Sequence, residues 1–364
     1  MDAGGWVPFD RYMELALYSP GLGYYAAGAT KLGHAGDFTT APEMTPLFGH
    51  AAAKQVAAIL AATEGRQVLE LGAGTGALAA SLLAGLEAAS SLPSHYLILE
   101  PSPDLRERQR ATLATQAPHH AAVVEWIDTL PANVDGAVIA NEVLDAIPTH
   151  IVRRRQGAFF ERGVAIAPEA SPLHHGFVWD ERPAPARLAA LAQSRFPEVD
   201  DYVSELNPAA EALVEHLGRR LDSGAALFID YGFPAHEYYH PQRAAGTLMC
   251  HYRHRAHDDP FVYPGLTDIT AHVNFSAMAS AGKRAGLEVG GFVAQAPFLL
   301  GCDLLEGLAA VGPPESVPYI KAASQVQKLL SPAEMGELFK VLALSRSPGI
   351  AWPGFALADR RHRL

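Results

Sequence analysis

The sequence predicts an α/β fold built on a mostly parallel, Rossmann-like sheet, with helical additions at both ends and an inserted hairpin region. Three observations carry that expectation. Val68, Leu69 and Leu71 make an apolar strand that runs into Gly72-Ala73-Gly74-Thr75-Gly76, and Leu78, Leu82, Leu83 and Leu86 then recur at helical spacing. Strand and helix patterns alternate from about Val68 to Ala140, as parallel construction requires. The 364 residues are enough to bury a large core, and no run of about twenty apolar residues offers a membrane span.

The elements follow in order. Phe9, Met13, Ala16 and Leu17 repeat at helical spacing until Pro20, Gly21 and Gly23 end the pattern, and Thr45 with Pro46 reads as the capped start of a second helix. After the glycine turn, residues 96–99 form a second strand, Ser102-Pro103 opens a helix, residues 123–127 form a third strand, and a fourth ends at Asn141. Residues 151–164 read as a hairpin turning at Gln156-Gly157, followed by proline-rich linkers around Pro168, Pro172, Pro183 and Pro185. Asn207-Pro208 starts a helix, residues 225–230 give a fifth strand, and residues 287–295 an antiparallel edge at which the sheet is expected to end. From Leu299 the chain reads as helical, with Ser331-Pro332-Ala333-Glu334 as a capping box. The expected organisation is an N-terminal helical region with an active-site loop (1–62), a core (63–298) interrupted at about 151–201, and a helical C-terminal region (299–364).

Charge and cysteine content narrow the partners. A formal charge of −11 argues against nucleic acid, which needs clustered Lys and Arg, and favours a basic peptide. Arg153-Arg154-Arg155 fits the solvent face of the hairpin. Two cysteines, Cys250 and Cys302, make no disulfide framework. The first residues resemble neither a signal core nor an Arg-rich presequence, so a cytoplasmic protein is expected.

The glycine turn itself admits two cofactors. Read as Gly72-x-Gly74-x-x-Ala77, with Glu100 closing the second strand, it satisfies a dinucleotide fingerprint. Glu70 shifts the balance, because a carboxylate within the first strand suits a ligand carrying an ammonium group, such as the methionine part of S-adenosylmethionine (SAM). In that reading Gly72, Ala73, Gly74 and Gly76 face the methionine and ribose, Glu100 accepts from the ribose hydroxyls, and Asp128 after the third strand meets the adenine amino group.

The chain resembles the MidA-like family of class I SAM-dependent methyltransferases. The resemblance lies in Gly36-Asp37-Phe38-Thr39-Thr40-Ala41-Pro42-Glu43, in Glu70 to Gly76, in Asn141-Glu142-Val143-Leu144-Asp145-Ala146-Ile147-Pro148, in Ile229-Asp230-Tyr231-Gly232, and in the stretch from Pro264 to Phe275 with Asp268, Thr270 and His272. It departs where the family has an acid at His50 and aromatics at Val143 and Leu144. The resemblance implies a class I methyltransferase fold, SAM as cofactor, and an arginine of a partner protein as acceptor; mitochondrial members of the family are complex I assembly factors and protein arginine methyltransferases.

Asn141, Glu142 and Asp145 are the candidate catalytic cluster, since two carboxylates three residues apart share one face of a helical turn and can grip a guanidinium fork. Arginine lies about six pH units from losing its proton at neutrality, a cost near 8 kcal/mol, so the carboxylates are expected to orient it while the proton leaves during or after transfer. Asp37, Thr39, Thr40 and Glu43 form a candidate lid, Asp230 and Tyr231 a candidate acceptor lining, and His272 a pocket or structural residue. His251, His254 and His257 lack the companions of a metal site, and no metal is expected. An assembly chaperone with a structural or vestigial SAM site is the alternative function; an NAD dehydrogenase would lack any identified hydride-transfer residue.

Overall fold

A computed structural model describes residues 5–26, 40–166, 176–253 and 255–364. The main sheet contains β1 (Gln67–Leu71), β2 (His95–Leu99), β3 (Val124–Ile127), β4 (Val134–Asn141), β5 (Leu221–Phe233), β6 (Glu288–Ala294) and β7 (Phe339–Ser345). Their order across the sheet is β6-β7-β5-β4-β1-β2-β3. Neighbours from β3 to β5 are parallel, whereas β7 runs antiparallel to both β5 and β6. A short strand, Val273–Asn274, extends the far end of β5 in parallel.

Two-residue periodicity divides the core between the sheet's faces. Val68, Ala137, Ile139, Leu227 and Val341 pack toward the helices Pro46–Leu60 and Ala77–Ala88, while Leu69, Val138, Ala140, Phe228 and Leu342 pack toward Pro208–Arg220 and Phe275–Arg284. Burial on both faces explains why these strands read as near-continuous apolar runs. The chain passes from β1 outward to β2 and β3, then returns to β4 and β5 on the other side. That reversal leaves a crevice at the carboxyl ends of β1 and β4, where open α/β sheets bind ligands.

The second sheet is larger than the expected hairpin. The strands His150–Arg155 and Ala158–Ile166 form that hairpin, with Gln156 and Gly157 at positive φ in its turn. Tyr202–Leu206, Phe177–Pro183 and the N-terminal Trp6–Pro8 join them. Pro183 ends a strand and Pro185 sits in the two-residue link before the helix Ala186–Arg195; Pro168 and Pro172 are outside the described residues. His150 ties the first helix (Phe9–Tyr18) to this sheet, its Nδ1 2.7 Å from Glu161 and its Nε2 3.5 Å from Asp10. Arg153 pairs with Glu181 at 3.0 Å and with Asp201, so part of the expected basic patch is neutralised.

The C-terminal expectation needs correction. Helices Gln295–Gly301, Leu304–Ala309 and Val317–Leu330 follow β6, but Phe339–Ser345 returns to the sheet between β5 and β6. A short apolar run is ambiguous between strand and buried helix, and only the two open edges beside it decide the matter. Ser331 closes the preceding helix through its N–H to Gln327 O at 2.8 Å and does not open a new one; only the single turn Met335–Leu338 follows. Among the described residues no helix is long and apolar enough to cross a membrane. Cys250 and Cys302 are free and buried.

One glycine is indispensable to this sheet. Gly224 on β5 has φ +96°, and a Cβ there would lie 1.8 Å from Gly136 O on β4. Gly224→Ala is expected to destabilise the fold by about 2–4 kcal/mol through strain and clash at the β4–β5 seam. Urea unfolding checks this, and a change below about 0.5 kcal/mol would contradict it.

Candidate active site

The crevice holds a cavity of about 830 Å³, lined by residues 70–75, 99–105 and 141–146 apart from Leu144, with Tyr18, Tyr25, Thr40 and Glu43 closing it from the N-terminal side. All the expected glycine-loop residues except Gly76 line it. Gly72, Gly74 and Gly76 sit at φ +60°, +54° and +86°, a path that a side chain would strain at every step.

Around that loop the polar groups are held from behind. Glu70 is fully buried, and the Tyr96 hydroxyl donates to its Oε2 at 2.6 Å. Burial raises its pKa to about 7, against the opposing pull of the Tyr96 bond. Glu100 accepts from Ser102 N at 2.9 Å and from Gln109 Nε2 at 3.2 Å. Gln109 was missing from the sequence reading. Its amide also donates to Gly74 O at 3.1 Å, and its Oε1 accepts from Trp126 Nε1 at 2.8 Å. It joins the glycine loop, the β2 end and β3 in one network. The available signal was a Gln sharing the buried stripe of the helix Pro103–Gln116 with Leu113.

Asp128 is a correction. Its carboxylate accepts from Arg106 Nη2 at 2.6 Å, its side chain is 77% exposed, and it does not line the cavity. An arginine from the preceding helix outcompetes the expected inward orientation. Of the lid residues, Thr40 and Glu43 are placed and Asp37 and Thr39 lie outside the described residues. Thr40 and Glu43 cap the helix Ala41–Met44 reciprocally, and Glu43 Oε1 accepts from Thr75 Oγ1 at 3.0 Å, fastening this segment to the glycine loop.

Beyond the loop lies the acid cluster. β4 ends at Asn141, and the backbone turns at Glu142 with φ +52°, its N–H donating to Ile229 O at 2.9 Å. The expected helical turn is absent, yet Asn141, Glu142 and Asp145 all line the cavity. Asn141 Nδ2 donates to Glu142 Oε1 at 3.2 Å, which leaves Asn141 Oδ1 without a partner. Tyr231 donates its hydroxyl to Asp145 Oδ2 at 2.6 Å, and Asp145 Oδ1 is likewise unpartnered.

Asp230 and Tyr231, expected as acceptor lining, do not line this cavity, and His272 takes the structural of its two expected roles. Asp230 lies beneath the turn, accepting from Leu144 N at 3.0 Å and Asp145 N at 3.3 Å. His272 stacks on Phe233 and meets Tyr231 edge-on; burial lowers its pKa to about 4, so it is neutral. Asp230 and Tyr231 thus hold the turn and the Asp145 carboxylate.

Burial and the neighbouring Asp145 charge raise the Glu142 pKa to about 8, while burial holds Asp145 and Asp230 above the usual carboxylate range. Among the described residues no lysine or arginine is paired with any of the three. The cluster could receive a cation, since a guanidinium or ammonium would satisfy the orphan oxygens Asn141 Oδ1 and Asp145 Oδ1. The Glu70 end suits a second positive group, which matches the ammonium of SAM.

A family model described as "Putative S-adenosyl-L-methionine-dependent methyltransferase" matches residues 49–293. "Protein arginine methyltransferase NDUFAF7, mitochondrial" of Mus musculus is 30% identical over 93% of this chain and 81% of its own length. The Danio rerio protein of the same name is 29% identical over 96% of this chain and 86% of its own. A crystal structure from Burkholderia thailandensis, described as a "likely methyl transferase" bound to S-adenosyl-homocysteine, shares 51% identity over all of this chain and 93% of that one, with a TM-score of 0.94.

Two predictions follow from the geometry. A carboxyl group whose pKa is raised on folding stabilises the fold below its unfolded value and ceases to do so as pH climbs through the folded value. For Glu142 that window runs from the usual Glu range up to about 8. Glu142→Gln should therefore raise the Tm of the ligand-free protein by about 2 °C or more at pH 8.5 while changing it little at pH 4.5; equal shifts at both pH values in differential scanning fluorimetry would refute the burial argument. Gln109→Leu should weaken SAM binding by about 1–3 kcal/mol through loss of its bonds to Gly74 and Glu100. Calorimetric affinity within twofold of wild type would count against it.

Proposed function

Because the chain belongs to the family of S-adenosylmethionine-dependent methyltransferases, we propose that it transfers the cofactor's methyl group to an arginine side chain of a partner protein. The observation that carries the acceptor is the pair of buried, cavity-lining carboxylates, Glu142 and Asp145, with no cation paired to either among the described residues. The arginine methyltransferase activity for which the mouse and zebrafish relatives are named supports the same reading. The resemblance to complex I assembly factors makes a respiratory complex I subunit the kind of partner we propose. Buried free cysteines suit a reducing compartment, and the cytoplasm is the one we propose; "mitochondrial" is said of the relatives.

When bound, SAM supplies an electrophilic methyl group. Glu70, the Gly72–Gly76 backbone, Ala73 and Glu100 are the residues that would hold it. Glu142 and Asp145 then face a guanidinium whose flat fork matches two carboxylates, and Asn141 Oδ1 offers a further acceptor. Asp230 and Tyr231 keep the turn and Asp145 in place. The acceptor nitrogen must shed one N–H proton as its new C–N bond forms. Glu142, charged once the cation is bound, lines the cavity and can take that proton. At neutrality the empty site holds this carboxyl largely protonated, so arginine binding expels a proton and turnover should rise as pH passes through the Glu142 range.

Glu142→Gln separates this reading from its competitors. It should keep SAM affinity within about threefold and lower methyl transfer to arginine peptides by about a hundredfold or more. The assay is mass spectrometry of peptides and of S-adenosylhomocysteine formed. Unchanged transfer would remove Glu142 from the chemistry; joint loss of SAM binding and transfer would move the cluster to the cofactor site. A chaperone would form no S-adenosylhomocysteine with any partner while still supporting assembly.

A further inference from the structure

The acids leave one wall of the cavity unexplained. Tyr18 ends the first helix and Tyr25 follows in the turn beyond it; both line the cavity beside Glu43, Glu142 and Asp145. Their rings stack with centroids 5.6 Å apart and 26° between planes. The turn is held against its own helix by Tyr25 N donating to Leu17 O at 2.8 Å and Tyr24 N donating to Ala16 O at 2.9 Å. The aromatic pair is therefore a fixed surface.

Both hydroxyls are committed elsewhere. Tyr18 donates to Ala146 O at 2.9 Å, directly after Asp145, and Tyr25 donates to Asp268 Oδ1 at 2.9 Å. Burial, with the charges of Asp145 and Asp268 added, holds both phenols far above their ordinary pKa, so neither acts as a base. Tyr18 nevertheless keeps 41% of its surface exposed. With the hydroxyl tied down, ring carbon is what the pair offers to the cavity. Ring faces next to unneutralised carboxylates attract a cation twice, by quadrupole and by charge, and a weakly hydrated planar guanidinium uses both better than a compact ammonium.

We propose, on the basis of the acceptor reading above, that Tyr18 and Tyr25 form an aromatic wall that holds the acceptor's cationic head against Glu142 and Asp145. The wall binds the acceptor and leaves the cofactor to the glycine loop.

The test uses the full chain saturated with S-adenosylhomocysteine, with ethylguanidinium and ethylammonium as probes in ligand-detected NMR titrations. Tyr18→Leu and Tyr25→Leu should each weaken ethylguanidinium by about fivefold or more, as loss of a ring face predicts, with S-adenosylhomocysteine affinity within about threefold of wild type to certify the fold. Tyr18→Phe and Tyr25→Phe, which keep the rings, should stay within about twofold. The proposal falls if the Leu variants bind ethylguanidinium like wild type, if the Phe variants lose as much as the Leu variants, or if S-adenosylhomocysteine is lost in parallel, which would assign the rings to the cofactor. A wild type that binds ethylammonium as well as ethylguanidinium, both lost on Leu substitution, would uphold the wall and overturn arginine as the acceptor.

Discussion

Buried carboxylates without counter-ions govern this site. Glu142, Asp145 and Asp230 meet where β4 and β5 end, and Glu70 lies one strand away on β1, each removed from water and each pushed toward its neutral form. Such charges persist only where donors fixed by the fold surround them, and here these are backbone N–H groups, the Tyr96 and Tyr231 hydroxyls and the Asn141 amide. The site stores unfavourable electrostatics that a doubly cationic pairing, cofactor and acceptor, would relieve.

The sheet makes this possible. Parallel neighbours from β3 to β5 present their carboxyl ends on one side, and the reversal of strand order between β1 and β4 keeps the crevice open there. The seam between β4 and β5 permits close backbone approach at Gly136 and Gly224, and at its other end Glu142 takes a left-handed conformation anchored on Ile229. Backbone strain of this kind is held by the surrounding structure and accumulates at functional turns.

The N-terminal part is coupled to the same turn from outside the sheet. Glu43 grips Thr75, an Ala41 N–H reaches Glu142, Tyr18 bonds Ala146 O, and His150 links the first helix to the second sheet. Glycine loop, acid turn and first helix are therefore joined by direct contacts.

The sequence by itself determined the strand–glycine–helix core, the alternation up to β4, the capped helices at Thr45, Ser102 and Asn207, and the identity of the carboxylates at Glu70, Glu100, Glu142 and Asp145. Those features depend on local periodicity, capping and turn chemistry, which neighbouring residues specify among themselves. Tertiary structure alone decided that Phe339–Ser345 completes the sheet, that Arg106 draws Asp128 away, that Asp230 and Tyr231 support the acid turn from beneath, and that Gln109, Tyr18 and Tyr25 belong to the site. Each of these outcomes depends on which of several possible partners a side chain or strand meets, and that choice is made by elements that can be hundreds of residues apart in the chain and adjacent only once the sheet has formed.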